Sequence, residues 1–190
     1  VAGLPVRTLL IAFGVVCVAL LVIGITRPYI YERVTTFLDP LSADVREEGY
    51  QIHQSLLAVG SGGIFGKGYG QSVQKFGYLP EATSDSVFSV AAEELGFVGA
   101  VSIIGLFTWF AFRGLRIAMR ARDRFGAMLV VGVVMLIVTQ SFLNIGSMLG
   151  VFPLTGEPLV FMSHGGSSLF FALLATGVVA NVSRYARKRV

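Results

Sequence analysis

Hydrophobic residues are gathered into long runs along this chain, and most polar residues lie between the runs. A run of roughly 18 or more apolar residues is long enough to cross the ~30 Å hydrocarbon core of a membrane as a helix. The pattern therefore predicts four membrane-spanning helices, at residues 8–26, 87–112, 125–147 and 165–183. Between and after them it leaves a large loop at 27–86, shorter loops at 113–124 and 148–164, and a tail at 184–190.

The composition agrees with a membrane protein. Of the 190 residues, 54% are hydrophobic and only 14% are charged, and the mean hydropathy is +0.75. Soluble globular domains do not have this usage. We therefore predict an all-α polytopic membrane protein that forms a single membrane domain. The chain begins with Val1, and we expect it to be part of a longer protein.

Basic residues predict the orientation in the membrane, because short cytoplasmic loops are enriched in Lys and Arg. The 113–124 loop carries five arginines and one acidic residue, and the tail carries four basic residues. Both are predicted to be cytoplasmic. The 27–86 loop, with five basic and seven acidic residues, is then external. The net charge of +4 thus reflects topology, and nucleic-acid binding is not indicated.

The large external loop is rich in aromatic residues, which is typical of a membrane interface and not of a disordered linker. Within it, the stretch GYQIHQSLLAVG places Ile52, Leu56 and Leu57 near one helical face. This spacing predicts a short re-entrant or interfacial helix.

Glycine makes up six of the eleven residues at 60–70. The run is not a nucleotide-binding loop, because Ser61 stands where the P-loop pattern needs glycine and Gly68 where it needs Ser or Thr. Irregular backbone at membrane depth is tolerated where it is buried in protein or lines a wet cavity. We therefore predict closely packed backbone at the edge of a polar cavity.

Several motifs occur in order along the chain: Gly49-Tyr50-Gln51, the glycine run, QKFGYLPEATSD, AAEELGFVGA, NIGSMLGVFPLTGEPL and SHGGSS. Together they resemble the C-terminal half of the SEDS family, to which FtsW and RodA belong, with Gly68, Gly70, Ser72, Gln74 and Lys75 closer to the FtsW branch. The resemblance implies part of a ten-helix fold in the bacterial cytoplasmic membrane that polymerises lipid II into peptidoglycan. Thr83, Ser84, Val160 and His164 depart from the family pattern.

By the same resemblance, Asp85 matches the external aspartate that is essential in the family, and its implied role is general base. A glycan polymerase has to remove a proton from the acceptor hydroxyl as that oxygen attacks the anomeric carbon of the donor. Asp85 could instead simply cap the second span, since aspartate is favoured at helix N-termini. The two roles are compatible.

The substrate-binding candidates lie in the two external stretches beside the second and last spans: Gln74, Lys75, Glu81, Ser163, Gly165, Gly166 and Ser167. Lys75 could neutralise a pyrophosphate or remain a solvated lysine, with Lys67 and Arg46 as weaker candidates. Glu81 could steer a cation, hold Lys75 or lie on the surface. The small residues after Ser163 could receive an anion at a helix N-terminus or serve helix packing.

Polar residues inside the spans are the remaining candidates. Glu93 and Glu94 would be functional by default in an apolar helix, but they lie near its outer end and we predict a structural polar network. Gln140 and Asn144, one turn apart, predict an interhelical hydrogen bond. The resemblance implies a divalent cation, Mg or Mn, without indicating its ligands, and no organic cofactor.

The implied partners are lipid II, a class B penicillin-binding transpeptidase and other proteins of the division or elongation complex. Two alternatives stay open. A lipid II flippase would also use a polar external cavity and intramembrane carboxylates. A non-enzymatic membrane scaffold would depend on the arginine-rich 113–124 loop.

Overall fold

The computed structural model describes residues 5–26 and 47–186, and its regular structure there is entirely helical. The helices are α1 (Val6–Thr26), α2 (Glu47–Ser61), α3 (Val87–Arg120), α4 (Arg124–Met148) and α5 (Gly166–Arg184). Helices α3, α4 and α5 are long and apolar enough to cross a membrane. The predicted all-helical membrane fold is confirmed. Arg46 and the basic residues of 187–190 lie outside the described residues.

Helices α3 and α4 form a tight antiparallel pair. Asp123 begins α4, and its Oδ2 accepts a hydrogen bond from the Gly126 amide at 2.8 Å, which satisfies one of the free N–H groups of the first turn. A Cβ atom on Gly114 would lie 2.3 Å from Val134 Cγ2, so glycine permits the close approach of the two helices. Val179 of α5 joins the same buried cluster.

Helix α3 continues eight residues beyond the predicted end of the span at residue 112 and ends at Arg120. Arg113, Arg116 and Arg120 are therefore exposed residues of a helix and not of a loop. Their long side chains can reach water while the backbone stays helical. A basic residue in the last turn also complements the partial negative charge of a helix C-terminus.

The helix predicted in the external loop is present as α2, and of the three apolar residues on its predicted face only Ile52 is buried. Ile52, Ser55 and Ala58 are buried, whereas Leu56 and Leu57 are 43% and 45% exposed. Small side chains allow α2 to lie close to its neighbours, and Ser55 Oγ contacts Met148 Sδ at 3.4 Å. Packing distance, and not hydrophobicity alone, selects the buried face.

One hydrophobic cluster joins α2 to the ends of the membrane helices. It includes Ile52 of α2, Phe88 of α3, Met148 of α4 and Leu159 of the segment before α5, and all four are almost completely buried. Burial of a side chain of this size contributes about 1.5–3 kcal/mol. The cluster therefore fixes the segments that precede α3 and α5 relative to each other.

Candidate active site

A break in α3 at Gly96 is the feature around which the loop of residues 62–75 is built. Gly96 has φ 70° and ψ −167°, which is not helical. In a regular helix the amides of Phe97 and Val98 would donate to the carbonyls four residues before them, those of Glu93 and Glu94. Instead, each of these groups bonds to the glycine-rich loop: Lys67 N to Glu93 O (3.0 Å), Gly68 N to Glu94 O (3.0 Å), Phe97 N to Gly63 O (2.9 Å) and Val98 N to Ile64 O (3.2 Å).

Three glycines make this main-chain contact possible. A Cβ atom on Gly66 would lie 2.1 Å from Glu94 O, one on Gly62 would lie 2.2 Å from Ala92 O, and one on Gly96 would lie 2.3 Å from Gly66 N. Any side chain at these positions would collide with backbone. The prediction of closely packed backbone is confirmed for Gly62 and Gly66.

The cavity beside the glycine run is apolar and not polar as predicted. It has a volume of about 300 Å³, and Gly60 and Gly63 line it together with Phe88, Ala92 and Phe97. The cavity wall is apolar because the carboxylates of Glu93 and Glu94 bind residues of the glycine-rich loop instead. The polar side of the loop is organised around two glutamates.

The Glu93 carboxylate is completely buried and is the anchor of the loop. Its oxygens accept five hydrogen bonds, from Ser61 Oγ (3.3 Å), Lys67 Nζ (2.6 Å), Ser72 Oγ (2.5 Å), Val73 N (3.3 Å) and Gln74 N (3.3 Å). Burial of a carboxylate is tolerated when it is paired and hydrogen-bonded in this way. Lys67 is therefore a structural counter-ion.

Glu94 forms the second ion pair. Lys75 Nζ lies 2.7 Å from Glu94 Oε1 and 2.9 Å from Gly70 O, and it stands 5.2 Å from the centroid of the Phe76 ring. Lys75 is thus paired and not the solvated lysine of the alternative interpretation, and its role in substrate binding stays a prediction. Glu81, an exposed residue, is not its partner as one alternative proposed. The predicted role of Glu93 and Glu94 in a polar network is confirmed.

Asp85 lies at the last turn before α3 and is half-buried. Its Oδ1 accepts a hydrogen bond from Ser84 Oγ at 2.8 Å. Ser86, and not Asp85, occupies the N-cap position of α3, and among the described residues no backbone amide donates to the Asp85 carboxylate. The carboxylate is therefore not used as a helix cap.

Three successive carbonyls around Asp85 are held from outside the turn. The His164 amide donates to Thr83 O at 2.8 Å, Ser163 Oγ donates to Ser84 O at 2.6 Å, and Asn144 Nδ2 donates to Asp85 O at 2.8 Å. Glu81 (φ 49°) and Phe161 (φ 69°) adopt left-handed backbone in the two segments concerned. Such strain persists where surrounding contacts determine the conformation, and it is frequent at functional sites.

Gln140 and Asn144 of α4 bind loops and not another helix, which corrects their prediction. Gln140 Nε2 donates to Glu157 Oε2 and to Pro158 O, each at 3.3 Å. Asn144 Nδ2 donates to Glu157 O at 2.7 Å as well as to Asp85 O. Because these loops are irregular, their carbonyls need donors, and the helix supplies them.

The small residues at the start of α5 differ in burial: Ser163 is buried, whereas Gly166 and Ser167 are exposed. Ser163 is buried and bound to the Asp85 segment, so this stretch contacts the segment directly and does not face it across a cavity. Gly165 occupies the N-cap position of α5 without a side-chain cap. Gly166 and Ser167 are exposed in the first turn. Gln74 is half-buried beside Glu93, and its buried Oε1 has no partner among the described residues.

No group of three or more His, Cys, Asp or Glu residues within the described parts of the chain could hold a metal ion. The divalent cation therefore stays a prediction. A cavity of about 600 Å³ lies along α4 and the 155–157 segment, lined by Gln140 and Glu157 among others. Asp85 does not line it.

Comparison with known proteins gives the family. The profile of the FtsW/RodA/SpoVE family, described as cell cycle proteins, matches residues 1–188. The chain belongs to the FtsW/RodA/SpoVE family. It is 48% identical over 163 residues to stage V sporulation protein E of Bacillus subtilis, covering 86% of this chain and 44% of that protein. It is also 48% identical over 158 residues to a probable peptidoglycan glycosyltransferase FtsW of Synechocystis, covering 83% and 40% of the two proteins.

Two solved structures of this family share the fold. One is described as "Structural coordination of polymerization and crosslinking by a peptidoglycan synthase complex". Its TM-score is 0.71 at 34% identity, and the match covers 96% of this chain and 50% of that one. An aspartate-to-alanine mutant of the Thermus thermophilus rod shape determining protein RodA has a TM-score of 0.54 at 35% identity, covering 71% and 41%. The chain thus spans about half the length of its relatives. Family membership and the span-length helices identify an integral membrane protein.

Two features of the site were missed from the sequence. The break in α3 was missed, although a glycine inside an apolar helical run, here in Leu95-Gly96-Phe97, is a recognised signal of a special backbone position. The loop partners of Asn144 were missed as well, because its position predicts an interhelical hydrogen bond. A buried amide in a spanning helix signals an obligatory partner, but the sequence does not say whether that partner is a helix or a loop.

Proposed function

We propose that the full-length protein is a peptidoglycan glycan-strand polymerase that uses lipid II, with Asp85 as general base. The observation that carries the proposal is the Asp85 turn. Its carbonyls are held by Asn144, Ser163 and the His164 amide, while its carboxylate receives one hydrogen bond, from Ser84, among the described residues. A fixed backbone with an uncommitted carboxylate oxygen is what proton abstraction requires.

In the proposed reaction, a sugar hydroxyl of the acceptor gives its proton to the Asp85 carboxylate. The hydroxyl oxygen forms a bond to the anomeric carbon of the donor. The bond between that carbon and the lipid pyrophosphate oxygen breaks, and undecaprenyl pyrophosphate leaves with the electron pair. Removal of a positioned general base lowers a rate by about 10²–10⁴-fold.

The proposal extends to location and partners. The protein would lie in the bacterial cytoplasmic membrane with Asp85 on the external face, because the arginines near the α3–α4 connection favour the cytoplasmic side. A class B penicillin-binding transpeptidase would cross-link the strands within a division or elongation complex. The description of a structural neighbour as a peptidoglycan synthase complex for polymerization and crosslinking supports such a partner.

The flippase alternative loses one of its supports. It relied on Glu93 and Glu94 as intramembrane polar groups, but both carboxylates are occupied by lysines at 2.6 and 2.7 Å. Neither ion pair borders the cavity that lies along α4. The scaffold alternative makes no use of the bonds that converge on the Asp85 turn.

The test is polymerisation of fluorescently labelled lipid II by the full-length protein with its transpeptidase partner, comparing wild type with Asp85→Asn. Asp123→Asn is the matched control, because asparagine is also a good N-cap residue and the α4 terminus stays capped. We expect long glycan strands from wild type and Asp123→Asn and none from Asp85→Asn. Equal polymer from Asp85→Asn would refute Asp85 as base. Lipid II transport in vesicles without polymer from wild type would favour a flippase.

A further inference from the structure

Asn144 joins the Asp85 turn to the 155–158 segment through one side chain. It is 1% exposed and lies about one turn before the end of a helix that can cross a membrane. Its two amide hydrogens are directed to two carbonyls, Asp85 O at 2.8 Å and Glu157 O at 2.7 Å. The opposite orientation of the amide would place Oδ1 against both carbonyl oxygens, so the donor assignment is determined by the partners.

The bond to Asp85 acts on the main chain of the residue that carries the carboxylate. Thr83 O and Ser84 O are held by the segment before α5, whereas Asp85 O is held from α4. On the other side, Gln51 Nε2 of α2 donates to Ser86 Oγ at 3.0 Å. Asn144 is thus the α4 contribution to a turn that two other segments, α2 and the segment before α5, also hold.

We propose that Asn144 is a positioning residue for Asp85: its amide fixes the Asp85 backbone to the Glu157 carbonyl so that the carboxylate stays in the orientation needed for proton abstraction. This inference rests on the proposed function. The amide does not touch the reacting atoms. It acts because a catalytic group displaced by about 1 Å loses up to about 10²-fold in rate.

Two substitutions separate this role from a general contribution to packing. Asn144→Asp keeps the shape of the side chain but replaces the NH₂ group, which donates to two carbonyls, with a carboxyl group that has at most one donor hydrogen. Asn144→Gln keeps the donor on a side chain one methylene longer. Ser141→Ala is the control, since Ser141 is also fully buried in α4 but donates to Ile137 O within its own helix.

The experiment measures kcat and KM for labelled lipid II, together with the melting temperature, in the full-length protein with its partner. We expect Asn144→Asp to lower kcat by about tenfold or more with KM changed by less than about twofold, because orientation and not binding is lost. Asn144→Gln should recover part of kcat. Ser141→Ala should match wild type in kcat and KM.

Three results overturn the inference. The first is wild-type kcat in Asn144→Asp while Asp85→Asn is inactive, which leaves the proposed function intact. The second is a loss of kcat that follows the loss of melting temperature in every variant, Ser141→Ala included, which assigns Asn144 to stability alone. The third is a wild-type rate in Asp85→Asn, which removes the proposed function itself and with it the group that Asn144 positions.

Discussion

Gly96→Ala tests the main-chain contact between the glycine-rich loop and α3. The substitution puts a Cβ atom 2.3 Å from Gly66 N and 2.5 Å from Ile64 O, both backbone atoms. If the break persists, alanine at φ 70° and ψ −167° stands in a backbone region that is essentially restricted to glycine and costs about 1–3 kcal/mol, and the loop still has to move away. If α3 instead straightens, the four bonds to the loop are exchanged for two helical ones.

The expected loss of stability can be calculated for the case in which α3 straightens. A net loss of two hydrogen bonds costs about 1–3 kcal/mol, and retreat of the loop also loosens the bonds to the buried Glu93 carboxylate. We expect a decrease of about 2–4 kcal/mol in the free energy of unfolding. The expected decrease exceeds the cost of the two main-chain hydrogen bonds because the hydrogen bonds to the Glu93 carboxylate are also weakened.

The assay is thermal unfolding of the full-length protein in detergent, with hydrogen exchange of the amides of Lys67, Gly68, Phe97 and Val98. Gly105→Ala is the control, because Gly105 lies in the same helix with no atom within 4 Å of an added Cβ. Alanine there is favoured by about 1 kcal/mol. If Gly96→Ala melts like Gly105→Ala and its four amides stay protected, the loop does not complete the helix and the reasoning fails.

Two further predictions concern the ion pairs and the topology. Lys67→Met should lower the free energy of unfolding by about 3 kcal/mol, which is more than Lys75→Met should. The reason is that the Glu93 side chain is 0% exposed and the Glu94 side chain is 10% exposed. Equal decreases in melting temperature for the two variants would contradict this. In a Cys17→Ser background, Gln71→Cys should react with a membrane-impermeant maleimide on intact cells, and Arg122→Cys only after permeabilisation; the reverse pattern would invert the proposed orientation.

The helices could be predicted from sequence because their signal is local. Apolar runs gave α3, α4 and α5, and Ile52 and its neighbours gave the existence of α2. The buried face of α2 could not be predicted, because Ser55 faces Met148 and the burial of a small polar residue instead of Leu56 depends on how closely α2 approaches α4. That distance is a property of the assembled fold.

The candidate site was predicted in part. The resemblance supplied Asp85, and the cost of a buried carboxylate supplied a polar network for Glu93. The partners could not be derived, because Lys67 and Lys75 reach their glutamates across 26 and 19 residues of chain. A free lysine and a paired lysine look alike in sequence. The pairing of Lys75 with Glu94 could therefore not be predicted, and the role of Lys75 in substrate binding stays a prediction.

The junction between the loop and α3 also determines which sequence changes the region can accept. The side chains of Ile64, Phe65 and Tyr69 are 64%, 83% and 90% exposed, while the main-chain atoms of Gly63, Ile64, Lys67 and Gly68 make the four bonds of the junction with α3. Mutational drift can therefore alter these side chains without touching the junction. An insertion or deletion of one residue between Gly63 and Gly68 would shift the register of the paired groups. Evolution along this segment should accordingly proceed by replacement, with length held constant.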